Sequence, residues 1–391
     1  MSFISENWIL RLCLIFTAIS GFSISGVAQT GPGGVGNNQG TSRLQLWLRG
    51  DNTTLNGGNV SIWSDLSGHN HHLEQTTAGD QPTFHASYGG LNNMPSLEFD
   101  GAEDHLHDLD GEDYINGING FTVFLIIEAD ADAIGTDVGI FDSEEPDDQD
   151  DQFTFRFDAD GGGGDINLYK GSTGAGGTEA FETSSGSQST DPTIISYFWS
   201  NGDTPAVPAV NLNGHPNTLS ESDPSTGTIT GADRFLLGQG PKDDGGSDGW
   251  DGHIAEVIIF DRKLNAAEIT IVENYLSARY SIAIAIANDR YAGDDNTNGD
   301  FDFDVAGVGN SGGEHHNLAG SAGLYVGQAT DDSFGDGEFL FAGHANGSNG
   351  ILTSGMGTIT ATHRWERTWY VDKTGTLTAD ARLVFDFPEA L

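Results

Sequence analysis

Three acidic side chains lie close together in the sequence at Glu98, Asp100 and Glu103. A retaining glycosidase needs two carboxyl groups about 5–5.5 Å apart on either side of the bond that it breaks. Along a strand, alternation places Glu98 and Asp100 on one face and Glu103 on the other, unless a bulge intervenes. Gly101 and Ala102 indicate the start of a turn at this point. A hydrolase using these acids is therefore an alternative that the sequence does not favour.

A second group of oxygen-bearing side chains follows the pattern of a calcium-binding loop. Asp294, Asn296 and Asn298 alternate along the chain before a glycine, as at the start of such loops, and Asp302 is a further candidate ligand. Val305 occupies the position of the bidentate glutamate, so an EF-hand is not expected. The sequence leaves two interpretations open, a looser Ca²⁺ site and a solvated linker between domains.

Weaker candidates for calcium ligands occur at two other places. They are the acids Asp158, Asp160 and Asp165 between two predicted strands, and Asp248 and Asp251 before a later strand. The acidic run between residues 142 and 151 is typical of a solvated loop.

Trp250 is the best candidate for an exposed, ligand-binding aromatic residue, because it lies in a polar loop of Ser, Asp and Gly. Trp47, Trp63 and Trp199 lie in apolar strand patterns, which predicts core packing for each of them. The histidines grouped in the sequence are expected at the surface, and they are His69, His71 and His72, then His105 and His107, then His315 and His316.

The composition excludes two classes of partner. The 391 residues include 58 Asp and Glu against 15 Lys and Arg, which gives a formal net charge of −43. A nucleic-acid-binding protein needs a basic surface to neutralise phosphates, and an anionic membrane surface repels the same acidic excess. With 36% hydrophobic and 10% aromatic residues, the chain has enough apolar material for hydrophobic cores.

The N-terminal segment has the features of an export signal. A short apolar run follows Arg11, and small residues lead to a cleavage site before Gln29. The one cysteine, Cys13, lies in this segment, so the processed protein would hold no disulfide. No other run approaches the roughly 18 apolar residues of a membrane span. We therefore predict a signal peptide over 1–28, a flexible leader over 29–42, and a secreted or cell-surface protein.

The remaining sequence predicts an all-β protein. From Arg43 onward, short apolar or alternating runs are separated by Gly, Asp, Asn and Pro, which is typical of a β-sandwich or jelly roll. One segment has helical spacing, with apolar residues from Ile269 to Tyr280 on one face and Asn265 as its N-cap. The predicted domains are a jelly roll over 43–283, closed by this helix, and a smaller, β-sandwich-like domain over 284–391. An incomplete second domain is one interpretation of its abrupt end.

Several segments resemble a known family. Those similar to the opening of bacterial laminin-G-like, concanavalin A-like jelly-roll domains are Leu46–Asp51, Val60–Asn70, Gln81–Phe84 and Pro95–Gly101. The run Gly252–Leu264 and the following helix resemble the end of the same domains. The segments Asp304–Gly309 and Arg364–Trp369 resemble an uncharacterised β domain that often follows such jelly rolls in large secreted bacterial proteins.

The resemblance implies a binding or adhesive module, often for glycans and often with Ca²⁺. Some relatives of this architecture are glycan hydrolases or lyases, because fold does not fix function. The Glu-x-Asp-x-x-Glu strand of retaining β-glucanases on this fold matches Glu98, Asp100 and Glu103 in spacing. In those enzymes the intervening residues are apolar and continue the strand, whereas Gly101 and Ala102 do not fit that pattern.

Three hypotheses about function follow. The leading one is a secreted or cell-surface protein whose jelly roll binds a glycan or another extracellular polymer, assisted by calcium, with the second domain as a spacer. The alternatives are a glycan-active hydrolase that uses the three acids, and a purely structural adhesin segment.

Overall fold

A computed structural model describes residues 8–10, 30–143, 153–159, 164–171, 179–222, 224, 226–240, 249–345, 351–352, 364–365 and 367–385. The chain divides into two compact units. The first comprises residues 38–264, and the second combines residues 265–391 with the N-terminal residues up to 37. Both are built mainly from β-strands, so the prediction of an all-β sandwich fold with a helix is confirmed.

Strands are numbered in chain order, with β1 (Trp8–Leu10) in the second unit. The elements of the first unit are β2 (Leu44–Asn56), β3 (Asn59–Asp65), β4 (Leu73–Glu74), β5 (Thr83–Tyr88), β6 (Met94–Asp100), β7 (Leu106–Asp108), α1 (Glu112–Ile115), β8 (Gly120–Ala129), β9 (Val138–Asp142), β10 (Phe153–Asp158), β11 (Asp165–Lys170), β12 (Glu179–Thr183), β13 (Thr193–Ser200), β14 (Ala209–Leu212), β15 (His215–Asn217), β16 (Leu219–Ser222), β17 (Phe235–Leu237) and β18 (Asp251–Phe260). Short 3-10 helices span Ala78–Asp80 and Gly89–Leu91.

Strand β18 is the centre of the first unit, because it pairs antiparallel with β2, β6 and β8. A register shift between Ile254 and Glu256 marks a bulge in its pairing with β8. The bulge changes the alternation, so that Ile254, Val257 and Ile259 all enter the same core. His253, next to Ile254, therefore faces the opposite side of the sheet.

The core of the first unit is formed by alternate residues of its strands. On β8, the residues Phe121, Val123, Leu125 and Ile127 belong to it. The predicted core positions of Trp63 and Trp199 are confirmed, since both are fully buried, and Trp47 is 7% exposed. The indole N–H of Trp47 donates to the buried Glu256 carboxylate at 2.7 Å.

The second unit contains α2 (Ala266–Tyr280) and, besides β1, the strands β19 (Phe303–Ser311), β20 (Glu314–His316), β21 (Leu318–Ser321), β22 (Leu324–Gln328), β23 (Phe339–His344), β24 (Ile351–Leu352), β25 (Arg364–Trp365), β26 (Trp369–Thr374) and β27 (Ala381–Phe385). Their sheets have the orders β1-β26-β23-β19-β20, β21-β22-β27 and β24-β25. Short 3-10 helices span Pro32–Gly34 and Ala292–Asp294.

Helix α2 begins as the sequence indicates. The Asn265 side chain accepts the backbone N–H of Glu268, and the Glu268 side chain accepts the N–H of Asn265. Nearly all of its residues are buried, and it packs on β19 of its own unit. The compact units therefore divide between Leu264 and Asn265, whereas the sequence placed the helix in the domain over 43–283.

Among the described residues, no helix is long and apolar enough to span a membrane.

Candidate functional site

The three predicted catalytic acids do not share a strand. Strand β6 ends at Asp100, and Gly101 follows with φ of 71°, in the left-handed region that favours glycine. The Asp100 carboxylate accepts the N–H of Ala102 at 3.0 Å, which closes the turn. Glu103 therefore lies beyond the strand that carries Glu98, so the continuous strand of the glucanase pattern is interrupted here.

Glu98 instead lies beside two histidines. Its Oε2 lies 2.5 Å from Nε2 of His85, and the rings of His85 and His253 meet edge to face with centroids 5.1 Å apart. One potential ligand atom from each of His85, Glu98 and His253 lies within 4.8 Å of the other two. Within the described part of the chain, this is the one such group of three or more His, Cys, Asp or Glu side chains. We call it the His–Glu–His cluster.

The strand register brings these residues together. His253 on β18 is paired with Glu98 on β6 and, on its other side, with Glu128 on β8. Leu97, between Ser96 and Glu98, belongs to the core, so alternation directs Glu98 to the opposite face. Gly252 has φ of 137°, and a Cβ there would lie 2.3 Å from the backbone oxygen of Glu128. A glycine is thus required beside His253 for the close approach of β18 to β8.

Neighbouring side chains fix the orientation of His253. The Ser96 hydroxyl lies 3.1 Å from its Nδ1, which leaves Nε2 as the ring nitrogen for a ligand. The Tyr88 ring stacks on the imidazole with centroids 3.7 Å apart. The Tyr88 hydroxyl donates to Oε1 of Glu128 at 3.0 Å. One face of the His253 ring is therefore covered.

The electrostatics favour a neutral imidazole and a protonated phenol. Burial, and then the neighbouring His85, lower the pKa of His253, although Glu98 and Asp130 oppose that shift. Burial and the hydrogen bond with Glu128 raise the pKa of Tyr88 to about 12. Burial likewise raises the pKa of Glu128. His253 is thus held in the form that can donate an electron pair to a metal ion.

Acidic residues surround this cluster. Asp251 is paired with Asp100, and its backbone oxygen accepts the N–H of Asp130. Burial, followed by the charges of Asp130 and Asp132, raises the pKa of Asp251. Asp251, one of the weaker candidate calcium ligands, lies on β18 two positions before His253. The acids around it create a region of negative potential that attracts cations.

The prediction that Trp250 is an exposed aromatic residue is wrong. Its side chain is fully buried in the core of the first unit, and its ring meets Phe157 edge to face at 5.0 Å. The backbone N–H of Trp250 donates to the oxygen of Gly238, and Gly249 bridges to Gln239. The polar loop is thus tied to a neighbouring strand end, which turns the indole inward, where it cannot stack on a ligand.

The predicted calcium loop lies between α2 and β19. Asp294 is half-buried, Asn296 is exposed and Asp302 is 6% exposed. The Asn298 amide donates to the oxygen of Ala292 at 2.6 Å, and Gly299 makes the turn with φ of 112°. These residues supply the oxygen donors that Ca²⁺ prefers.

Two acids that the sequence did not indicate crowd this loop. Burial and then the charge of Asp289 raise the pKa of Asp294 to about 7, with a smaller effect from Asp372. The Asp372 carboxylate accepts the N–H of Ala292 at 2.6 Å. The loop therefore concentrates negative charge that a cation would compensate.

The weaker acid candidates have different environments. The buried Asp158 carboxylate accepts hydrogen bonds from Arg156 at 3.0 Å and Asn167 at 2.9 Å, so local donors already use it. Burial and the charge of Asp158 raise the pKa of Asp165, which is also buried. Asp160 and Asp248 lie outside the described residues.

Sequence reasoning found Glu98 but missed both of its histidine partners. His85 and His253 are single histidines on strands far apart in the chain, so neither belongs to a group that short sequence spacing marks as possible metal ligands. One of the grouped histidines, His316, is not at the surface as expected, since it is 3% exposed and contacts the oxygen of Gly34 at 3.0 Å. The sequence signal that could have identified His253 is its position between Gly252 and the core residue Ile254 on a predicted strand.

No protein-family model and no curated protein match the chain. Among solved structures, the chain is similar to domain 4 of an extracellular arabinanase from Geobacillus stearothermophilus in complex with arabinotriose, with 16% identity, a TM-score of 0.40, and coverage of 59% of this chain and 98% of that one. A SAP-like pentraxin from Limulus polyphemus has 19% identity to the chain and a TM-score of 0.35, and the similarity covers 49% of this chain and 88% of the pentraxin. Trypanosoma rangeli sialidase in complex with sialic acid has 17% identity and a TM-score of 0.41, and the similarity covers 65% of this chain and 36% of the sialidase. The chain therefore spans about a third of that protein.

Proposed function

We propose that the protein is a secreted or cell-surface binding protein whose jelly roll recognises a glycan or another extracellular polymer. The observation that carries this proposal is the mixed aromatic and polar surface on the non-core side of β5, β6, β18 and β8. There Tyr88, His85 and Glu98 are all partly exposed, next to Glu128. Leu97, next to Glu98, fills the core from the opposite face of β6, so this polar surface lies outside the core.

The chemistry of this surface suits sugar hydroxyls. Carboxylates accept hydrogen bonds from hydroxyl groups, imidazoles can donate or accept, and an aromatic ring packs on the apolar face of a sugar. The net charge of −43 disfavours polyanionic chains. We therefore expect a neutral or cationic polysaccharide as the ligand.

The proposed location and family rest on the sequence. The signal-like start supports export, and the laminin-G-like segments support a binding or adhesive role. In this proposal the second unit acts as a spacer at a cell surface or in a matrix.

Calcium is part of this proposal as a stabilising ion of the loop with Asp294, Asn298 and Asp302. It is supported by the oxygen donors of that loop and by the raised pKa of Asp294, because crowded, poorly solvated carboxylates gain most from a cation.

A binding assay on a panel of neutral, cationic and anionic polysaccharides tests the proposal. We expect Tyr88→Ala to weaken binding at least tenfold, because it removes the aromatic ring beside the polar groups. The matched control is Tyr325→Ala, which removes a partly exposed tyrosine of the second unit and should leave binding unchanged. Absence of binding to every polymer, or equal loss in both variants, contradicts the proposal. Release of reducing ends from the panel would favour the hydrolase alternative instead.

A further inference from the structure

We propose that His85, Glu98 and His253 form a binding site for one divalent transition-metal ion of the zinc type. This inference goes beyond polymer binding and does not depend on it.

The separation of the donor atoms carries the inference. The three ligand atoms lie within 4.8 Å of one another. Zinc–ligand bonds of about 2.0–2.2 Å in tetrahedral geometry place the ligands roughly 3.3 Å apart. Small side-chain rotations close this difference, and the present 2.5 Å contact between His85 and Glu98 opens as the ion enters. The backbone does not need to move, because β5, β6 and β18 are hydrogen-bonded neighbours.

The types of donor select the class of ion. Two imidazole nitrogens and one carboxylate oxygen suit Zn²⁺ and its neighbours in the first transition series, whereas Ca²⁺ prefers oxygen ligands alone. Two histidines and one acid are also the ligand set of several catalytic zinc sites, which keep a fourth position for water or a substrate. The side chains of His85 and Glu98 are 33% and 41% exposed, so a fourth ligand can enter from solvent.

The surrounding residues support His253 as a ligand. Metal-bound histidines usually hold their second ring nitrogen in a hydrogen bond, which fixes the tautomer and the ring orientation. Ser96 supplies this partner at Nδ1, and Tyr88 restrains the ring by stacking. A simple ion pair between His85 and Glu98 would need none of these restraints on His253.

Titration of the full, untagged chain with Zn²⁺ in competition with a chromophoric chelator tests this site. We expect one Zn²⁺ per chain, and at least a 100-fold loss of affinity in both His85→Ala and His253→Ala. The matched control is His215→Ala, since His215 is an exposed histidine on β15 of the same unit, and it should bind Zn²⁺ as the wild type does. Circular dichroism of each variant verifies that the fold is kept.

Two further measurements separate the possible outcomes. Co²⁺ in place of Zn²⁺ should give the intense visible absorption of a tetrahedral ion, and this band should disappear in His253→Ala. Absence of saturable Zn²⁺ binding, or binding that both substitutions leave intact, overturns the metal site. Because Tyr88→Ala keeps all three ligands and the Ser96 contact, Zn²⁺ binding should remain saturable, with a smaller loss of affinity than in His253→Ala. Failure of the polymer assay and failure of the metal site are therefore observed independently.

Discussion

The His–Glu–His cluster of the first unit and the Asp294 loop of the second unit are both polar, yet different elements hold them. His85, Glu98 and His253 stand on three paired strands, where register fixes each Cβ. Asp294 and Asp302 lie on the connection between α2 and β19, held by backbone hydrogen bonds and by Asn298. The strands thus hold two imidazoles and one carboxylate within 4.8 Å of one another, whereas the connection between α2 and β19 gathers several carboxylates.

The difference also appears in protonation. Burial lowers the pKa of His253, so that residue is already in its ligand form near neutral pH. Burial and Asp289 raise the pKa of Asp294 to about 7, so a calcium ion would have to displace a proton there. The neutral imidazole of His253 can therefore donate an electron pair without losing a proton, whereas the crowded acids around Asp294 need a cation in order to stay ionised.

The largest expected effect is on the stability of the first unit, whose core lies on the other face of the strands that carry the His–Glu–His cluster. Trp250→Ala should lower the free energy of unfolding by about 3–5 kcal/mol, because it leaves a cavity beside Phe157 in the first unit. Zn²⁺ affinity should fall as well, since Trp250 directly precedes β18, whereas Ca²⁺ affinity should not change. Urea unfolding and metal titration measure these effects. A cost below about 1 kcal/mol would contradict the buried position of the indole.

An intermediate effect is expected at the Asp294 loop. Asp294 has a pKa of about 7 in the folded protein against the ordinary 3.8. Between these pH values the folded state holds a proton that the unfolded state has lost, so stability falls as pH rises through that window. The full pKa difference corresponds to about 4 kcal/mol, and solvent screening of this half-buried carboxylate reduces it to on the order of 2 kcal/mol. Because Asp294→Asn cannot titrate, it should gain that amount of stability relative to wild type between pH 4 and pH 8.

Unfolding curves at both pH values, first in EDTA and then with CaCl₂, measure this gain. Calcium at pH 8 should stabilise the wild type more than Asp294→Asn, and Zn²⁺ should not distinguish the two proteins. The control Asp331→Asn removes an exposed acid of the same unit and should follow the wild type. A pH response of Asp294→Asn equal to that of the wild type would show that Asp294 does not cause it.

The smallest effect separates the ring of Tyr88 from its hydroxyl. Tyr88→Phe removes the hydrogen bond to Glu128 but keeps the ring that stacks on His253. A partly exposed hydrogen bond contributes about 0.5 kcal/mol, so polymer and Zn²⁺ affinities should change less than threefold. A loss as large as that of Tyr88→Ala in the polymer assay would assign recognition to the hydroxyl instead of the ring.

Much of the fold could be predicted because its signals are local. Alternating runs predicted the strands, and Asn265 as N-cap marked the start of α2. The location of Trp250 could not be predicted from its polar neighbours, because a long-range backbone hydrogen bond to Gly238 directs the indole inward. The grouping of α2 with the second unit likewise depends on packing against β19.

Only part of the candidate site was visible in the sequence. The sequence marked Glu98 as a candidate catalytic acid together with Asp100 and Glu103, yet in the structure its carboxylate contacts His85. The alternating oxygen donors of the Asp294 loop predicted a calcium site, but Asp289 and Asp372, which raise the pKa of Asp294, are not part of that pattern.

The sequence by itself determined the all-β class, the acidic surface and the residues available for chemistry, because composition and short-range alternation encode them. Only the tertiary structure decided that His85, Glu98 and His253 meet on one face and that Trp250 does not reach solvent. The physical reason is that pairing between strands distant in the chain, including the bulge after Ile254, sets which side chains face one another.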